Sequence, residues 1–456
     1  MKNLNIESLI FSLIPISYIL GIVALNINFF LLLIYSLINI KNTKEIFNLK
    51  LIDKIVIIFF LYLLIVGIIN AYEAHTKPFY LTDSKSYSKE YSLGILFKSI
   101  FYFKSLLVYF ALRLLFEKQI INIKIFFFVS AIITLLVSID IIFQYLNSGT
   151  NLLGMKTLEI NNMILKYSGV FGEEQIAGGF LQRFGFFLLI LLINIEFFFN
   201  KENKLKKFLF IFSFFLILIS IFISGNRMPF MLFLMCSFLM LLHTLNLKKY
   251  FLVLISLILI SSFMLIDSKK FDFKQYIYYE SAPQKVRTLF LYYDNLKNNV
   301  YKIVYAYKNK LTGEAVDLKY EDRPSHMHEF DNGIGTWKMN KIIGGGINSY
   351  WWVCIKRNIT DINERTTCDS HPHNYYLEIM SELGLIGLLF SLFFFFFTIK
   401  HFFSITSKDI RIYALPFYLI LIAEFFPIKS SGSFFYSSNS YMIFFSMAVL
   451  FSLKKN

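Results

Sequence analysis

This chain has few of the features that mark soluble enzymes and binding proteins. Charged residues make up only 16% of its 456 residues, and it contains neither an internal repeat nor a glycine- and serine-rich linker. The three cysteines show no repeated Cys-x-x-Cys spacing, which disfavours a metal held by cysteines. The glycines at 344–346 lack the strand, the helix and the lysine of a nucleotide-binding loop, which disfavours nucleotide binding.

Apolar residues, by contrast, are abundant. They make up 56% of the sequence, with 55 Phe, and the mean hydropathy is +0.58. A soluble domain with a polar surface does not have this composition, so the sequence predicts a polytopic membrane protein. The net charge of +15 is spread in short groups between apolar runs. This distribution indicates membrane topology, and not the basic face of a nucleic-acid-binding protein.

A bilayer span needs about 20 apolar residues, and about twelve runs approach this length. The fold class we predict is therefore an all-α, polytopic membrane helical bundle of about twelve transmembrane helices. The bundle is expected to occupy residues 1–266 and 373–456, on either side of a large polar loop over 267–372. The predicted spans are 8–23, 26–40, 55–72, 95–116, 125–146, 176–199, 208–223, 230–247, 250–266, 375–398, 412–428 and 440–453.

Lysine and arginine are distributed unevenly between the connections of these spans. With the N-terminus inside, the cytoplasmic connections carry clusters such as the four lysines within 201–207, whereas the short outer loops carry few cations. Because Lys and Arg resist translocation, we expect both termini in the cytoplasm and the 267–372 loop in the periplasm. Aromatic residues occur throughout this loop, which predicts a partly helical lobe and not a disordered segment.

The outer loop also contains Cys354 and Cys368. That side of the membrane is oxidising, so a disulfide is plausible, and two free thiols are the alternative. Cys236 lies inside a predicted span and is interpreted as a small buried apolar residue. His326 and His328 resemble a metal-binding pair, but a His-x-His pair in a solvated loop is more often unliganded.

The segment from Asp369 to His373 is predicted to begin a membrane helix. Asp369 or Ser370 can cap the helix and Pro372 is tolerated in its first turn, which would place His373 in that turn. The positive end of the helix would then keep His373 neutral, as a proton acceptor, and attract a phosphate. The alternative is that His371 and His373 are interfacial polar residues that close a loop over the helix.

Arginines at or inside the predicted spans form a second group of candidates. Arg227 lies in a tight turn at the outer surface, where a diphosphate or a lipid headgroup could pair with it. Arg183 lies inside a span that is entered from a glycine-rich loop at 168–179. It is a candidate second diphosphate contact, or it forms a structural ion pair with Asp140 or Glu424.

Several segments together carry a family resemblance. The run from His373 to Gly387 resembles the His-Asn, nine residues, Gly-x-x-Gly pattern of the bacterial O-antigen ligase and polymerase family. Ser224-Gly225-Asn226-Arg227 resembles the Ser-Gly-x-Arg turn of this family, and Trp337 with the 344–349 segment resembles its Trp-then-Gly-x-Gly stretch. The 168–179 loop is similar to the Gly-x-Phe loop of the family, with Glu173-Glu174-Gln175 in place of the usual Asn-Pro-Asn. The motif-bearing resemblance covers about 205 to 395.

The resemblance implies a glycosyltransferase of the bacterial inner membrane whose donor is a glycan on undecaprenyl diphosphate. It assigns His373 as the base that takes the proton of the acceptor hydroxyl, with Asn374 and His371 in support, and it implies no cofactor and no metal ion. Gly384 and Gly387 are assigned to close packing between helices. The arginines implied to hold the diphosphate are Arg227, Arg183, Arg287 and Arg323, of which the last two compete for the place of one loop arginine.

Two alternatives remain open at this stage. A ligase would use lipid A-core as the acceptor and a polymerase would use another repeat unit, and the sequence does not distinguish them. A secondary transporter of small anions also has about twelve spans and buried charges. It would be expected to have broken helices near the midplane in two related halves, and the sequence shows no such repeat.

Overall fold

The structure is a computed structural model that describes residues 5–39, 49–76, 87–157, 159–160, 163–164, 166–193, 204–244, 325–360, 368–427, 429 and 432–453. Its regular structure is almost entirely helical. A short antiparallel hairpin pairs β1 (Glu159–Ile160) with β2 (Met163–Ile164), and a single 3-10 turn covers Gly169–Phe171. The α-helices are α1 (Ile6–Ser12), α2 (Ile14–Ile19), α3 (Ile22–Asn39), α4 (Leu51–Thr76), α5 (Tyr87–Glu117), α6 (Ile123–Leu146), α7 (Ala177–Ile193), α8 (Lys204–Ile223), α9 (Arg227–Thr244), α10 (Ser325–Met339), α11 (Tyr350–Thr360), α12 (Tyr375–Phe403), α13 (Lys408–Glu424) and α14 (Ser437–Ser452).

The helical prediction is confirmed. Every predicted span within the described residues overlaps a helix, and only the 250–266 span lies outside them. Five of the described helices are long and apolar enough to cross a membrane: α3, α4, Ser92–Glu117 of α5, α6 and α12. The first predicted span is divided between α1 and α2, with Pro15 at the start of α2. The count of about twelve spans and the periplasmic loop stay predictions.

The chain divides into two compact units. Unit 1 comprises Met1–Val129 and Ser325–Asn456, and unit 2 comprises Ser130–Pro324. Helices α10 and α11 come from the predicted outer lobe and pack within unit 1. The predicted domain limits at 267 and 372 fall partly outside the described residues and stay predictions.

Unit 1 is built around α5, which packs against α3, α4 and α14 through a core rich in Phe. One buried ion pair joins two of these helices. The guanidinium of Arg113 donates to both carboxylate oxygens of Asp53, at 3.1 Å each, and Tyr109 donates to the same carboxylate at 2.7 Å. Both charges are buried, so their mutual hydrogen bonds offset the cost of removing them from water.

Helix α12 is interrupted at Gly384, whose φ is 66° and ψ is −164°. The loop after α10 enters the gap. Gly345 and Gly346 donate to the carbonyls of Ser381 and Glu382, and Leu385 donates to the carbonyl of Lys341 at 2.9 Å. The backbone groups freed by the break are therefore satisfied by this loop, as a helix in an apolar environment requires.

The interpretation of Gly384 and Gly387 as contacts between helices is therefore corrected. A Cβ at Gly384 would lie 2.1 Å from the carbonyl oxygen of Ile342, so this glycine makes room for the inserted loop. A Cβ at Gly387 would lie 2.3 Å from the Cβ of Leu383, across the break in the same helix. Both glycines permit a close approach, but the element that approaches is not a second helix.

Two buried carboxylates lie one turn apart on α12, beside the interruption. Glu378 accepts a hydrogen bond from the backbone N–H of Phe434, and Glu382 accepts one from the backbone N–H of Tyr350 at 3.3 Å. Tyr350 is the first residue of α11, so Glu382 meets the positive end of that helix. The two acids thus join α12 to α11 and to the segment before α14.

Unit 2 contains an outer loop organised by Asp140 of α6. The buried carboxylate of Asp140 accepts a hydrogen bond from the backbone N–H of Leu152 at 2.8 Å. Asn151 donates to the carbonyl of Gly169 at 2.9 Å. Gly169 has a φ of 55°, and a Cβ there would lie 2.9 Å from Asp140, so the glycine permits this close packing. These contacts fix the glycine-rich loop on the end of α6.

Candidate active site

The helix that carries the His-Asn motif begins later than the sequence predicted. Helix α12 starts at Tyr375, and Asn374 is its N-cap, with Oδ1 accepting from the backbone N–H of Tyr376 and Leu377 at 3.0 and 3.2 Å. Asp369 and Ser370 therefore do not cap this helix. His373 precedes the cap, outside the first turn.

The position of the cap affects what the start of α12 can bind. Two of the backbone donors at the start of α12 are already occupied by Asn374, so the helix start is less available to a phosphate than expected. The Nδ2 of Asn374 also donates to the carbonyl of Pro427 at 2.8 Å. Asn374 is thus a structural residue that ties the start of α12 to the segment after α13.

His373 itself adopts an uncommon backbone conformation. Its φ is 49°, in the left-handed region that residues other than glycine rarely occupy. Strained residues of this kind persist only where the surrounding structure holds them, and they are concentrated at functional sites. The His373 side chain is 37% exposed, so one side of the ring is accessible to a reactant.

A disulfide holds the histidine segment from its other end. Cys368 is bonded to Cys354 of α11, with Cα atoms 6.0 Å apart. Cys354 is fully buried, and the bond anchors the chain five residues before His373. Asn374 and Cys368 thus fix both ends of the segment that carries the two histidines. The third cysteine, Cys236, is buried in α9.

Two carboxylates, those of Glu329 and Asp369, lie close to His373. The Oε1 of Glu329, on α10, lies 4.0 Å from the His373 Nε2, which is ion-pair distance. Atoms of Glu329, Asp369 and His373 that can ligate a metal all lie within 4.8 Å of one another. The two carboxylates also place negative charge beside the imidazole. The side chains of His326 and His328 lie outside the described residues.

His371 differs from His373 in its environment. The two rings lie 4.2 Å apart, and the Nδ1 of His371 is 2.9 Å from the Ser370 hydroxyl. Burial, with a smaller contribution from His373, lowers the pKa of His371 to about 4. His371 is therefore neutral at physiological pH and lies against the base candidate as an uncharged ring.

Below the histidines, a buried ion pair supports the first turn of α12. Glu424 of α13 pairs with Lys429 and accepts a hydrogen bond from the hydroxyl of Tyr375 at 3.0 Å. The Lys429 ammonium lies 4.8 Å from the centre of the Tyr375 ring. Of the two carboxylates considered as ion-pair partners of Arg183, Glu424 pairs with Lys429 and Asp140 accepts from the backbone of its own loop, and the role of Arg183 stays a prediction.

The second group of candidates lies in unit 2. Arg227 is the first residue of α9, after a turn in which Gly225 has a φ of 72°. A Cβ at Gly178, in the glycine-rich loop segment, would lie 2.6 Å from both Asn226 and Ser224. The structure therefore brings together the two motif segments that the sequence analysis treated separately.

Lys166 lies close enough to Arg227 for the two positive charges to interact. Burial and the positive charge of Arg227 together lower the pKa of Lys166, which lies in the loop before α7. Two neighbouring cations destabilise each other, and an anion that binds beside both stabilises their charged forms. Arg183 lies in α7, and Arg287 and Arg323 lie outside the described residues.

Sequence reasoning missed Glu329 and Lys166 as candidates. In the sequence, Glu329 merely follows the His-x-His pair, and Lys166 is one of the few cations in the short outer loops. Both become relevant through tertiary proximity, to His373 and to Arg227 respectively. No local pattern could have identified either residue.

The geometry describes a membrane protein with a histidine and carboxylate cluster beside an apolar helix. A family model described as O-antigen ligase matches residues 212–392, a segment that contains both Arg227 and His373. This match supports the assignment of the chain to the O-antigen ligase family and confirms the resemblance predicted from its motifs. Among curated proteins, none matches the sequence.

Proposed function

We propose that this protein transfers a glycan from undecaprenyl diphosphate to an acceptor hydroxyl at the periplasmic face of the bacterial inner membrane. The family supports glycosyltransferase activity in general, and the proposal adds the donor, the acceptor and the residues. The observation that carries it is the matched segment itself. This segment includes an arginine at the start of one helix and a half-exposed histidine just before another, and a transfer from a diphosphate needs both chemistries.

In the proposed reaction, His373 is the base. The acceptor oxygen forms a bond to the anomeric carbon of the donor while the bond from that carbon to the diphosphate oxygen breaks. The electron pair of the broken bond leaves with the diphosphate, and the hydroxyl proton passes to His373. A positioned base usually accelerates such a step by about 10²- to 10⁴-fold.

Arg227 is proposed to bind the diphosphate. A guanidinium matches phosphate oxygens in pairs, and neutralising the leaving group lowers the barrier to its departure. The half-buried Lys166 supports this role, because two neighbouring cations make an environment that favours an anion. Arg183, Arg287 and Arg323 are proposed as further diphosphate contacts.

The acceptor we propose is lipid A-core, which makes the protein a ligase. The alternative within the family is a polymerase, whose acceptor is another repeat unit. A deletion strain separates them by its glycan profile. Full-length polymer stranded on the lipid carrier supports the ligase, whereas single repeat units on finished lipid A-core identify a polymerase.

Complementation of the same strain tests the class of protein. The parent gene should restore the glycan profile and a His373→Ala variant should not. If a His373→Ala variant restores the parent profile at equal protein level, the transferase proposal is wrong, and a transporter of small anions becomes the better explanation.

A further inference from the structure

Glu329 is the carboxylate that α10 brings to His373. Its Oε1 lies 4.0 Å from the Nε2 of the histidine, and its side chain is only 17% exposed. Asp369 belongs to the same cluster, but it is exposed and lies on the same short segment as His373. Glu329 therefore approaches the ring from a separate, packed element.

The position of α10 is set by two close approaches. A Cβ at Gly333 would lie 3.0 Å from Leu377 in the first turn of α12, and a Cβ at Gly335 would lie 1.7 Å from the guanidinium of Arg357 in α11. That guanidinium donates to Asn332 of α10 at 2.8 Å. Larger residues at either glycine would displace α10, and Glu329 with it, from this packing.

A carboxylate at one ring nitrogen has two chemical effects on a histidine. When the two side chains close from 4.0 Å to hydrogen-bond distance, the carboxylate keeps the proton of the neutral ring on the nitrogen that faces it, here Nε2, which leaves Nδ1 with a free electron pair. It also stabilises the imidazolium that forms when Nδ1 takes a proton. Both effects are those that a base needs when it removes a hydroxyl proton.

We propose that Glu329 is a positioning residue that orients the His373 ring and stabilises its protonated form during transfer. This inference rests on the proposed function, in which His373 is the base. Asp369 and His371 lie on the same segment as this histidine. The neighbouring elements carry Arg357 on α11, which binds Asn332, and the Glu424–Lys429 pair, which contacts Tyr375. Glu329 differs from them in facing Nε2 from a packed helix at ion-pair distance.

The direct test measures the protonation of His373 without any substrate. Diethyl pyrocarbonate modifies neutral imidazole, and peptide mass spectrometry of the full-length protein in detergent reports the rate at His373 as a function of pH. In Glu329→Gln, the half-maximal pH should move to lower values by about half a unit or more, because the nearby negative charge is lost. Glu329→Asp should move it less, and Asp331→Asn, an exposed acid on the same helix, should leave it unchanged.

Transfer assays then connect the pair to the reaction. With lipid-linked donor extracted from a deletion strain, Glu329→Gln should transfer roughly tenfold more slowly than the parent. The pH optimum of transfer by Glu329→Gln should also shift to lower values. Its melting temperature should be close to that of the Asp331→Asn control. Partial recovery of rate by Glu329→Asp is the expected sign of a charge effect.

The outcomes separate this inference from the proposed function. An unchanged half-maximal pH in Glu329→Gln overturns the positioning role even if His373→Ala is inactive, and the proposed function then stands. Normal transfer by His373→Ala overturns the proposed function and removes any role of the pair in transfer, whatever the modification data show.

Discussion

At the scale of single residues, the two principal candidates differ in what the fold does for them. His373 is held in a left-handed conformation between a disulfide and a helix cap, with a carboxylate at 4.0 Å. Arg227 begins a helix, and its positive charge interacts with that of the half-buried Lys166. The first arrangement suits a group that must exchange a proton, and the second suits a group that must hold a charge.

The proposed diphosphate contact of Arg227 can be tested with a substitution that keeps the positive charge but removes the guanidinium geometry. We expect Arg227→Lys to lose transfer by roughly 30- to several-thousand-fold, because removing a desolvated charge-assisted contact costs about 2–5 kcal/mol. Initial rates with purified lipid-linked donor measure this effect. Lys156→Arg, at an exposed position in the outer loop before α7, is the matched control. A Lys variant as active as the parent would leave Arg227 as a headgroup anchor.

At the scale of secondary-structure elements, two features of α12 determine the geometry of the site: its N-cap at Asn374 and its interruption at Gly384. The sequence predicted that a helix begins near His373 with Asp369 or Ser370 as its cap, whereas the N-cap in the structure is Asn374. The contact that selects Asn374 is its hydrogen bond to Pro427, 53 residues away. A local pattern contains no information on such a contact, so the predicted start was wrong by a few residues.

Because α12 is interrupted at Gly384, we expect substitution of this glycine to destabilise the protein strongly. Gly384→Ala should lower stability by more than about 2 kcal/mol, because it combines a positive φ with a Cβ that meets the Ile342 carbonyl oxygen at 2.1 Å. Thermal unfolding in detergent measures the change. Gly94→Ala in α5 is the control, since nothing lies within 4 Å of a Cβ there. A Gly384→Ala protein as stable as the control would contradict the inserted-loop geometry.

The disulfide predicts a dependence of the site on oxidation. A Cys354→Ser/Cys368→Ser protein should insert into membranes but transfer glycan more slowly, because the segment that carries His373 loses one anchor. Closing a loop this short is worth roughly 3 kcal/mol in the chain-entropy model, so its melting temperature should also fall. Mass spectrometry of exported parent protein under non-reducing conditions provides the first check. Two free thiols in that protein would show that no bridge forms.

At the scale of the whole molecule, composition and periodicity predicted the fold class well and the site only in part. Apolar runs marked the described helices other than α10 and α11, which lie in the polar loop, because a membrane-spanning helix has to be apolar along its whole length. Both motif residues, His373 and Arg227, lie within the segment that the family model matches, and their roles stay predictions. The approach of Glu329 to His373, and of Lys166 to Arg227, depends on packing between elements that are distant in the sequence.

The topology remains a prediction of the charge distribution, and reporter fusions test it. A periplasm-active reporter fused after residue 300 should be active, and one fused after residue 204 should be silent, because Lys and Arg resist translocation. The opposite pattern would place His373 and Arg227 on the cytoplasmic side and would contradict the proposed acceptor.

The central claim, that His373 is the base of a glycan transfer, is tested most directly in proteoliposomes that contain purified lipid-linked donor and acceptor. His373→Ala should transfer about 10²- to 10⁴-fold more slowly while it still inserts and binds the donor, and His371→Gln should lose much less. Transfer by His373→Ala within threefold of the parent, with donor binding unchanged, would contradict the account.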